Sequence, residues 1–346
     1  MANFMYSKLS GKNDPMFGKY EHSIMALIEN ESNAQQKKKS SLDYLYNVQK
    51  SKRHSESVMG QSDFDTFMKK EEGQRAENDN VEKTYDKTIE HVTFAKEFTI
   101  TREMADDAMF GIGANMKAKP EGFVRAYYKT RTMLGAKALA NATNPTLSYN
   151  NAKIDLTTGD KLPLFYNKHP YFTDKMKGKT QSNYFYGEFT TGAQAFEEAL
   201  GVLSNQLRNF EDENGEVMEY IADTIIIPTN RPLFEMMVKK VVGTERTAGN
   251  DYNDINVQYG NWNIVMLEGW RTDRDEFMLM SSEANKNLLG NMFFDRTKLD
   301  IRNRIDDSTR NYIWNGYCRM GLGYTTWKHM LRAVSSAETV ANATKL

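Results

Sequence analysis

Residues 81–100 of this chain read VEKTYDKTIEHVTFAKEFTI, and the interpretation of the fold starts from this stretch. Apolar side chains recur in it at intervals of mostly two or four residues, and threonines occupy several of the positions between them. Such a pattern, rich in β-branched and aromatic residues, is typical of β-strands. The apolar positions are Tyr85, Ile89, Val92, Phe94, Phe98 and Ile100.

An almost entirely polar segment, KKEEGQRAENDN at 69–80, precedes this stretch. A second strand-like segment begins near Ser55, so we predict a long β-hairpin over 55–98 with the polar segment at its tip. A hairpin of this length has few apolar residues for a core of its own, and an isolated two-stranded ribbon is marginally stable in water. We therefore expect the hairpin to project and to pack against another surface.

Helical patterns dominate two later regions. Apolar side chains recur every three to four residues over 119–142, which predicts a long helix with Pro120 at its start. Helical and strand patterns alternate over 193–282, where the run DTIII at 223–227 suits a strand buried on both faces. The predicted organisation is an arm at 1–54 with one short helix near 42–49, the hairpin at 55–98, a region with the long helix at 99–192, an α/β region at 193–282, a mixed region at 283–335 and a fraying polar tail at 336–346.

Composition narrows the class of protein. The chain has 346 residues, about two domains' worth, and 40% are hydrophobic, which is enough for a folded core. Lys and Arg number 45 against 46 Asp and Glu, and this balance argues against a dominant role in binding nucleic acid. The single cysteine, Cys318, excludes an intrachain disulfide and favours a reducing compartment. We expect neither a transmembrane helix nor a signal peptide.

The sequence shows no recognisable catalytic, cofactor or metal site. None of the five histidines lies within five residues of another histidine or of Cys318, so no zinc-binding spacing is present. The Gly-Lys-Thr at 178–180 lacks the upstream glycine of a phosphate loop, since residue 173 is threonine. His169 is the best single candidate for chemistry, although a structural hydrogen-bonding role is more typical of such a histidine. The acidic cluster at 211–213 is interpreted as solvated surface.

The arm carries a basic run at 37–39, followed by Lys50, Lys52 and Arg53. Such a run is most often a solvated helix face, but it could also contact nucleic acid or an acidic surface. The sequence leaves this choice open.

The order of these parts, together with several short motifs, resembles the major capsid proteins of tailed bacteriophages, which share the Hong Kong 97-type fold. Among them the chain looks most similar to the Mu-like major head subunit group, and the likeness covers about 95–335. The motifs are EFTITREMADD at 97–107, DKLPLF at 160–165, His169-Pro170, GKTQSN at 178–183, Ile227-Pro228, and GLGY at 321–324 followed by Trp327.

The resemblance implies an α+β fold with an N-terminal arm, an extended hairpin loop that lies across a neighbouring subunit, a peripheral domain with a long spine helix, and an axial α/β domain. It implies a structural protein, not an enzyme, that self-assembles from hexamers and pentamers into an icosahedral shell around double-stranded DNA. The shell would be built in the bacterial cytoplasm and become part of the virion. We expect the hairpin residues that contact the neighbour to be Phe64, Phe67, Lys69, Lys70, Glu71, Glu72, Arg75 and Tyr85.

The expected partners are further copies of the chain, a portal protein, a separate scaffolding protein, and DNA that is bound weakly and without specificity; whether a decoration protein binds is left open. Residues 1–54 lack the heptad repeat of a fused scaffold, which is why the scaffold is expected to be a separate chain. Two alternatives remain at this stage. One is an encapsulin-like shell with protein cargo, and the other is an enzyme with an unrecognised site, for example a hydrolase that uses His169.

Overall fold

The computed structural model describes residues 5–8, 15–61, 64, 67–75, 83–107, 114–243, 256 and 258–346. The helices are α1 (Pro15–Lys37), α2 (Ser41–Leu45), α3 (Arg102–Asp107), α4 (Ala114–Ala140), α5 (Ala193–Arg208), α6 (Pro232–Val242) and α7 (Ser282–Asn287), with a short 3-10 helix at Asp174–Met176. The strands are β1 (Met5–Lys8), β2 (Asn47–Lys50), β3 (Ser55–Gln61), β4 (Lys83–Glu90), β5 (Val92–Ile100), β6 (Thr146–Tyr149), β7 (Ala152–Asp155), β8 (His169–Pro170), β9 (Thr180–Gln181), β10 (Tyr184–Gly187), β11 (Thr224–Pro228), β12 (Asn263–Leu267), β13 (Glu276–Met280), β14 (Asn291–Ile305), β15 (Tyr312–Tyr324), β16 (Met330–Ser335) and β17 (Thr344–Lys345).

The first sheet is built around the long antiparallel pair β14 and β15. Strand β5 adds to β15 in antiparallel orientation, and the short strands β1 and β2 both add to β14 in parallel. Helices α1 and α4 pack together beside this sheet, and Ile24, Ile28 and Phe123 share a buried cluster with Trp314 of β15. The long helix therefore lies against the sheet through one apolar face.

The second sheet has the strand order β12-β11-β13-β16-β10-β17. Strand β11 pairs with β12 on one side and β13 on the other, and all five of its residues are buried. The prediction of a buried strand at 223–227 is thus confirmed. Helices α5 and α6 pack against this sheet through aromatic rings, among them Phe196 against Phe277 at 5.3 Å between centroids.

The predicted hairpin over 55–98 is too long. Strands β3 and β4 pair only with each other, but the chain leaves the hairpin at His91, and β5 joins the first sheet. The reason lies in the ring of Phe98, which stacks on Trp314 at 6.0 Å and contacts Phe123 at 5.1 Å. The alternation of apolar residues continues through both strands, so it does not reveal where the partner strand changes. The predicted tip residues 76–80 lie outside the described residues.

The arm contains much more helix than expected. Helix α1 spans 23 residues, and the buried side chains within its residues 21–37, Glu21, Ile24, Ile28 and Ser32, follow helical spacing. Only two of these are apolar, so the stripe is too weak to stand out in the sequence. The predicted short helix near 42–49 is correct only in its first half, because the chain turns into β2 at Asn47.

Two further boundaries differ from the prediction. Helix α4 begins at Ala114, so Pro120 lies inside it and not at its start. A proline in the second turn removes one backbone hydrogen bond. The helix nevertheless continues, and its next turn packs Phe123 and Val124 into a buried cluster. The tail at 336–346 was predicted to fray, but in the structure Thr344 and Lys345 pair with β10. Val340 and Ala343 of the same tail are buried. The second sheet therefore takes strands from outside the predicted 193–282 region.

Candidate intersubunit surface

The described part of the hairpin tip exposes large apolar side chains. Phe64, Phe67 and Met68 all face solvent, and Phe67 is fully exposed. Burial of such a side chain is worth about 1.5–3 kcal/mol, so a group of them at the end of a projecting ribbon is suited to contact with another molecule. Phe64 and Phe67 were predicted from the sequence as contact residues, whereas Met68 was not.

The charged residues predicted at the tip are exposed too. Lys69 and Glu71 lie 3.4 Å apart in a solvent-exposed ion pair, which contributes little to stability. Lys70, Glu72 and Arg75 are likewise exposed. These side chains can form a polar rim around the apolar group, the arrangement found in protein interfaces.

Tyr85 occupies a different place from the other predicted contact residues. Its ring packs on Phe172 of the same chain at 5.8 Å, and a Cβ on Gly60 or Gly159 would come within 2.3 Å of it. Burial raises the pKa of Tyr85 to about 12, with a hydrogen bond to Thr325 opposing the rise. Tyr85 therefore anchors the tip-side end of the paired strands β3 and β4 to its own chain.

A buried lysine in the middle of β4 also holds the hairpin to its own chain. Lys87 is 5% exposed, and its Nζ donates to Asp155 Oδ2 at 2.6 Å and to Thr157 Oγ1 at 2.9 Å. Partial burial pushes the pKa of the Asp155 carboxyl up, but the hydrogen bonds from Lys87 and Thr157 outweigh it and hold the pKa below its ordinary value. The paired strands of the hairpin are thus tied to their own chain, and the described tip residues beyond them are exposed.

A second exposed apolar surface lies on the α/β part. Leu233 and Met236 of α6 face solvent, as does Val202 of α5. Val202 and Met236 were not singled out from the sequence. Leu233 was assigned to the apolar face of a helix at 232–242, but it lies on the side of α6 that the buried stripe leaves free.

His169 is fully buried and is held by hydrogen bonds and ring stacking. Its Nδ1 lies 2.6 Å from Asp160 Oδ2, its Nε2 lies 3.2 Å from Asn183 Oδ1, and its ring stacks on Trp327 at 4.5 Å. Asn183 in turn donates to the carbonyl oxygens of Leu164 and Met330. This arrangement connects the loop segments to β16, so its role is structural.

The remaining chemical candidates are also engaged in structure. Burial raises the pKa of the Cys318 thiol to about 12, which leaves it protonated and unreactive. The cluster at 211–213 is not solvated as predicted, because Glu213 is buried and accepts from Lys328 Nζ at 2.7 Å. Within the described ranges, no group of histidine, cysteine, aspartate and glutamate side chains is arranged to hold a metal ion. None of the described helices has the length and apolar character to cross a bilayer.

Comparison with known proteins shows similarity at the level of structure. No family model matches the sequence, and no curated protein matches it. A chain from Mycobacterium phage Patience has 13% identity and a TM-score of 0.51, and the match covers 98% of this chain and 94% of that one. A chain from the capsid structure of the cyanophage P-SCSP1u has 11% identity and a TM-score of 0.50, with coverage of 87% and 89%. The chain thus has the α+β fold of phage capsid proteins, the Hong Kong 97 type expected from its motifs.

Proposed function

We propose that this chain is the major capsid protein of a tailed phage or prophage, and that it self-assembles into an icosahedral shell around double-stranded DNA. The observation that carries this proposal is the β3–β4 hairpin, which is tied down at Tyr85 and Lys87 and exposes Phe64, Phe67 and Met68 at its tip. The shared fold with the cyanophage capsid chain supports it. Such a protein needs no active site and acts as part of the virion.

Each part of the fold has a role in the proposed shell. The hairpin lies across a neighbouring subunit, and α4 with the first sheet forms the peripheral domain. The second sheet with α5 and α6 forms the axial domain, whose exposed Leu233 and Met236 meet other copies at the centres of hexamers and pentamers. The arm at 1–54 braces neighbouring subunits, and its helix α1 packs along α4 of its own chain.

The finer assignments extend this proposal. The chain belongs with the Mu-like major head subunits, assembles in the bacterial cytoplasm with a separate scaffolding protein and a portal protein, and contacts its DNA weakly. Many weak contacts repeated by symmetry are sufficient to hold such a shell together.

The test replaces the exposed apolar side chains of the tip and leaves the anchoring residues Tyr85 and Lys87 unchanged. In a Phe64→Ser, Phe67→Ser, Met68→Ser variant we expect an unchanged melting temperature of the unassembled protein and a loss of most shells by electron microscopy. The control is Val217→Ser with Ile221→Ser, which removes exposed apolar side chains from outside the hairpin and should assemble. Shells at normal yield from the apolar variant would contradict the proposed contact.

The contents of the particles separate the proposal from the encapsulin-like alternative. Particles purified with the phage proteins should contain DNA, whereas a compartment shell would contain a protein cargo. A small closed oligomer with no particles under any assembly condition would instead favour an ordinary soluble protein.

A further inference from the structure

A cavity of about 650 Å³ lies where the end of α1, the start of α2, one face of α4 and the strand β14 meet. Its lining is rich in charged groups, and cations outnumber acids. The cations are Lys38, Lys39, Arg125, Lys129, Arg131 and Lys298, and the acids are Asp43, Glu268 and Asp295. The basic run that the sequence singled out at 37–39 thus opens onto a shaped site.

The acids in the cavity already have partners. Asp295 accepts from Arg131 Nε at 3.2 Å and from Arg131 Nη2 at 3.0 Å, and Asp43 lies 4.0 Å from the same guanidinium. Glu268 accepts a hydrogen bond from Ser41 Oγ. Asp295 and Asp43 are therefore engaged with Arg131, whereas Glu268 is held by a neutral hydroxyl and keeps its negative charge in the lining.

The arginine at the other end of the cavity is also paired. Arg125 lies 3.5 Å from Glu31 and 3.6 Å from Glu121. By contrast Lys38, Lys39, Lys129 and Lys298 form no ion pair within the part of the chain that the structure describes, although Lys39 lies over the ring of Tyr44. With six cations against three acids in the lining, these lysines leave the cavity with an excess of positive charge.

Burial and the excess of positive charge both affect the pKa of Lys298. Burial lowers the pKa of its amine, Asp295 opposes this, and the neighbouring cations Lys50 and Arg131 lower the pKa further. An anion in the cavity would relieve the repulsion between Lys298 and Arg131. Thr132 adds a hydroxyl group to the same lining, whereas Ser40 Oγ already donates to Asp43 and the Tyr128 hydroxyl is bonded to Ser32 and Gln36.

We infer that this cavity binds a phosphate group through Lys298 and Lys129, with Lys38 and Lys39 at its mouth. Ammonium groups and hydroxyls are suitable donors for phosphate oxygens, and the phosphate can come from a free anion or from the backbone of enclosed DNA. The DNA source rests on the proposed function, whereas the free anion does not. Occupancy would couple α1 and α2 of the arm to α4 and β14, because all four elements line the site.

The experiment uses the full-length, unassembled protein with two probes. Inorganic phosphate is titrated and followed by the phosphorus NMR line width, and a short DNA duplex is titrated by fluorescence anisotropy at several salt concentrations. Lys129→Gln with Lys298→Gln should weaken phosphate binding at least tenfold. The matched control, Lys96→Gln with Lys117→Gln, changes the net charge equally at exposed positions outside the cavity and should stay within twofold of the original protein.

The two probes identify the source of the phosphate. If DNA is bound in the cavity, log affinity should depend less steeply on log salt in the cavity variant. The magnitude of the slope should decrease by about 1.8, because each lost phosphate contact removes about 0.9. Binding of inorganic phosphate with no cavity-dependent effect on DNA assigns the site to a free anion. No saturable phosphate binding and no change in the DNA slope, or equal losses in the control variant, would overturn the inference. Shell formation by the cavity variant is scored separately, so failure of this site does not affect the proposed function.

Discussion

Replacing Arg332 tests how the long helix α4 is connected to the second sheet. This arginine on β16 is 5% exposed, and its Nε and Nη2 donate to Glu276 Oε2 at 3.2 and 2.8 Å. Its Nη1 donates to the carbonyl oxygen of Ala140, the last residue of α4, at 2.9 Å. A carbonyl at a helix end has no partner within the helix, so Arg332 satisfies it and also complements the helix dipole.

The expected cost follows from what the substitution leaves behind. Arg332→Met keeps an unbranched side chain over the ring of Trp270 but leaves Glu276 buried without its cation, which costs about 3–5 kcal/mol in the free energy of unfolding. Adding Glu276→Leu removes the stranded charge. The double variant should therefore lose only about 1–3 kcal/mol, which corresponds to the unsatisfied carbonyl of Ala140.

Urea unfolding of the unassembled protein, followed by tryptophan fluorescence and circular dichroism, measures these differences. The control is Arg302→Met, which breaks a more exposed pair with Asp300 at 3.5 Å and should cost no more than about 1 kcal/mol. A loss below about 1 kcal/mol for Arg332→Met, or a double variant less stable than the single one, would refute the reasoning.

Three further predictions concern stability. Ile226→Ala should cost about 2–5 kcal/mol by urea unfolding, because the side chain is fully buried between β12 and β13; an unchanged midpoint would mean that β11 is not internal. Gly201→Ala should raise stability by about 0.5–1 kcal/mol, since a Cβ there meets nothing within 4 Å in α5, whereas Gly178→Ala should lower it because its φ is +84°; thermal melts with the opposite order would contradict this. Burial lowers the pKa of His329 from 6.5 to about 3, so the unfolded chain binds more protons in this range, and stability should fall as the pH drops from 6.5 towards 3. His329→Gln should reduce this slope in urea midpoints measured between pH 7 and pH 4, and an unchanged slope would exclude His329 as its source.

Elements with a strong local apolar pattern could be predicted from the sequence. In α5 the buried residues Phe196, Leu200, Leu203 and Leu207 follow helical spacing, and α6 begins at Pro232, a residue that favours the first turn of a helix. The exposed apolar tip was partly predictable for a similar reason, because Phe64 and Phe67 border a polar segment with no core of its own.

Other features depended on which segments meet in three dimensions. Helix α1 is mostly polar, and its few buried side chains become a stripe only when α4 packs on them. Tyr85 alternates like its neighbours in β4, yet it points to Gly159 and Phe172 of its own chain.

The sequence by itself determined the α+β class, the buried strand β11, the presence of a hairpin near 55–90 and the absence of recognisable catalytic motifs, since these follow from the spacing of nearby residues. Only the tertiary structure decided where β4 ends and β5 begins, because the same alternation serves both strands and the partner strand makes the difference. It also decided that Lys38, Lys129 and Lys298 line one cavity. These lysines are far apart along the chain, and no local pattern records a charge cluster that forms only when distant segments pack together.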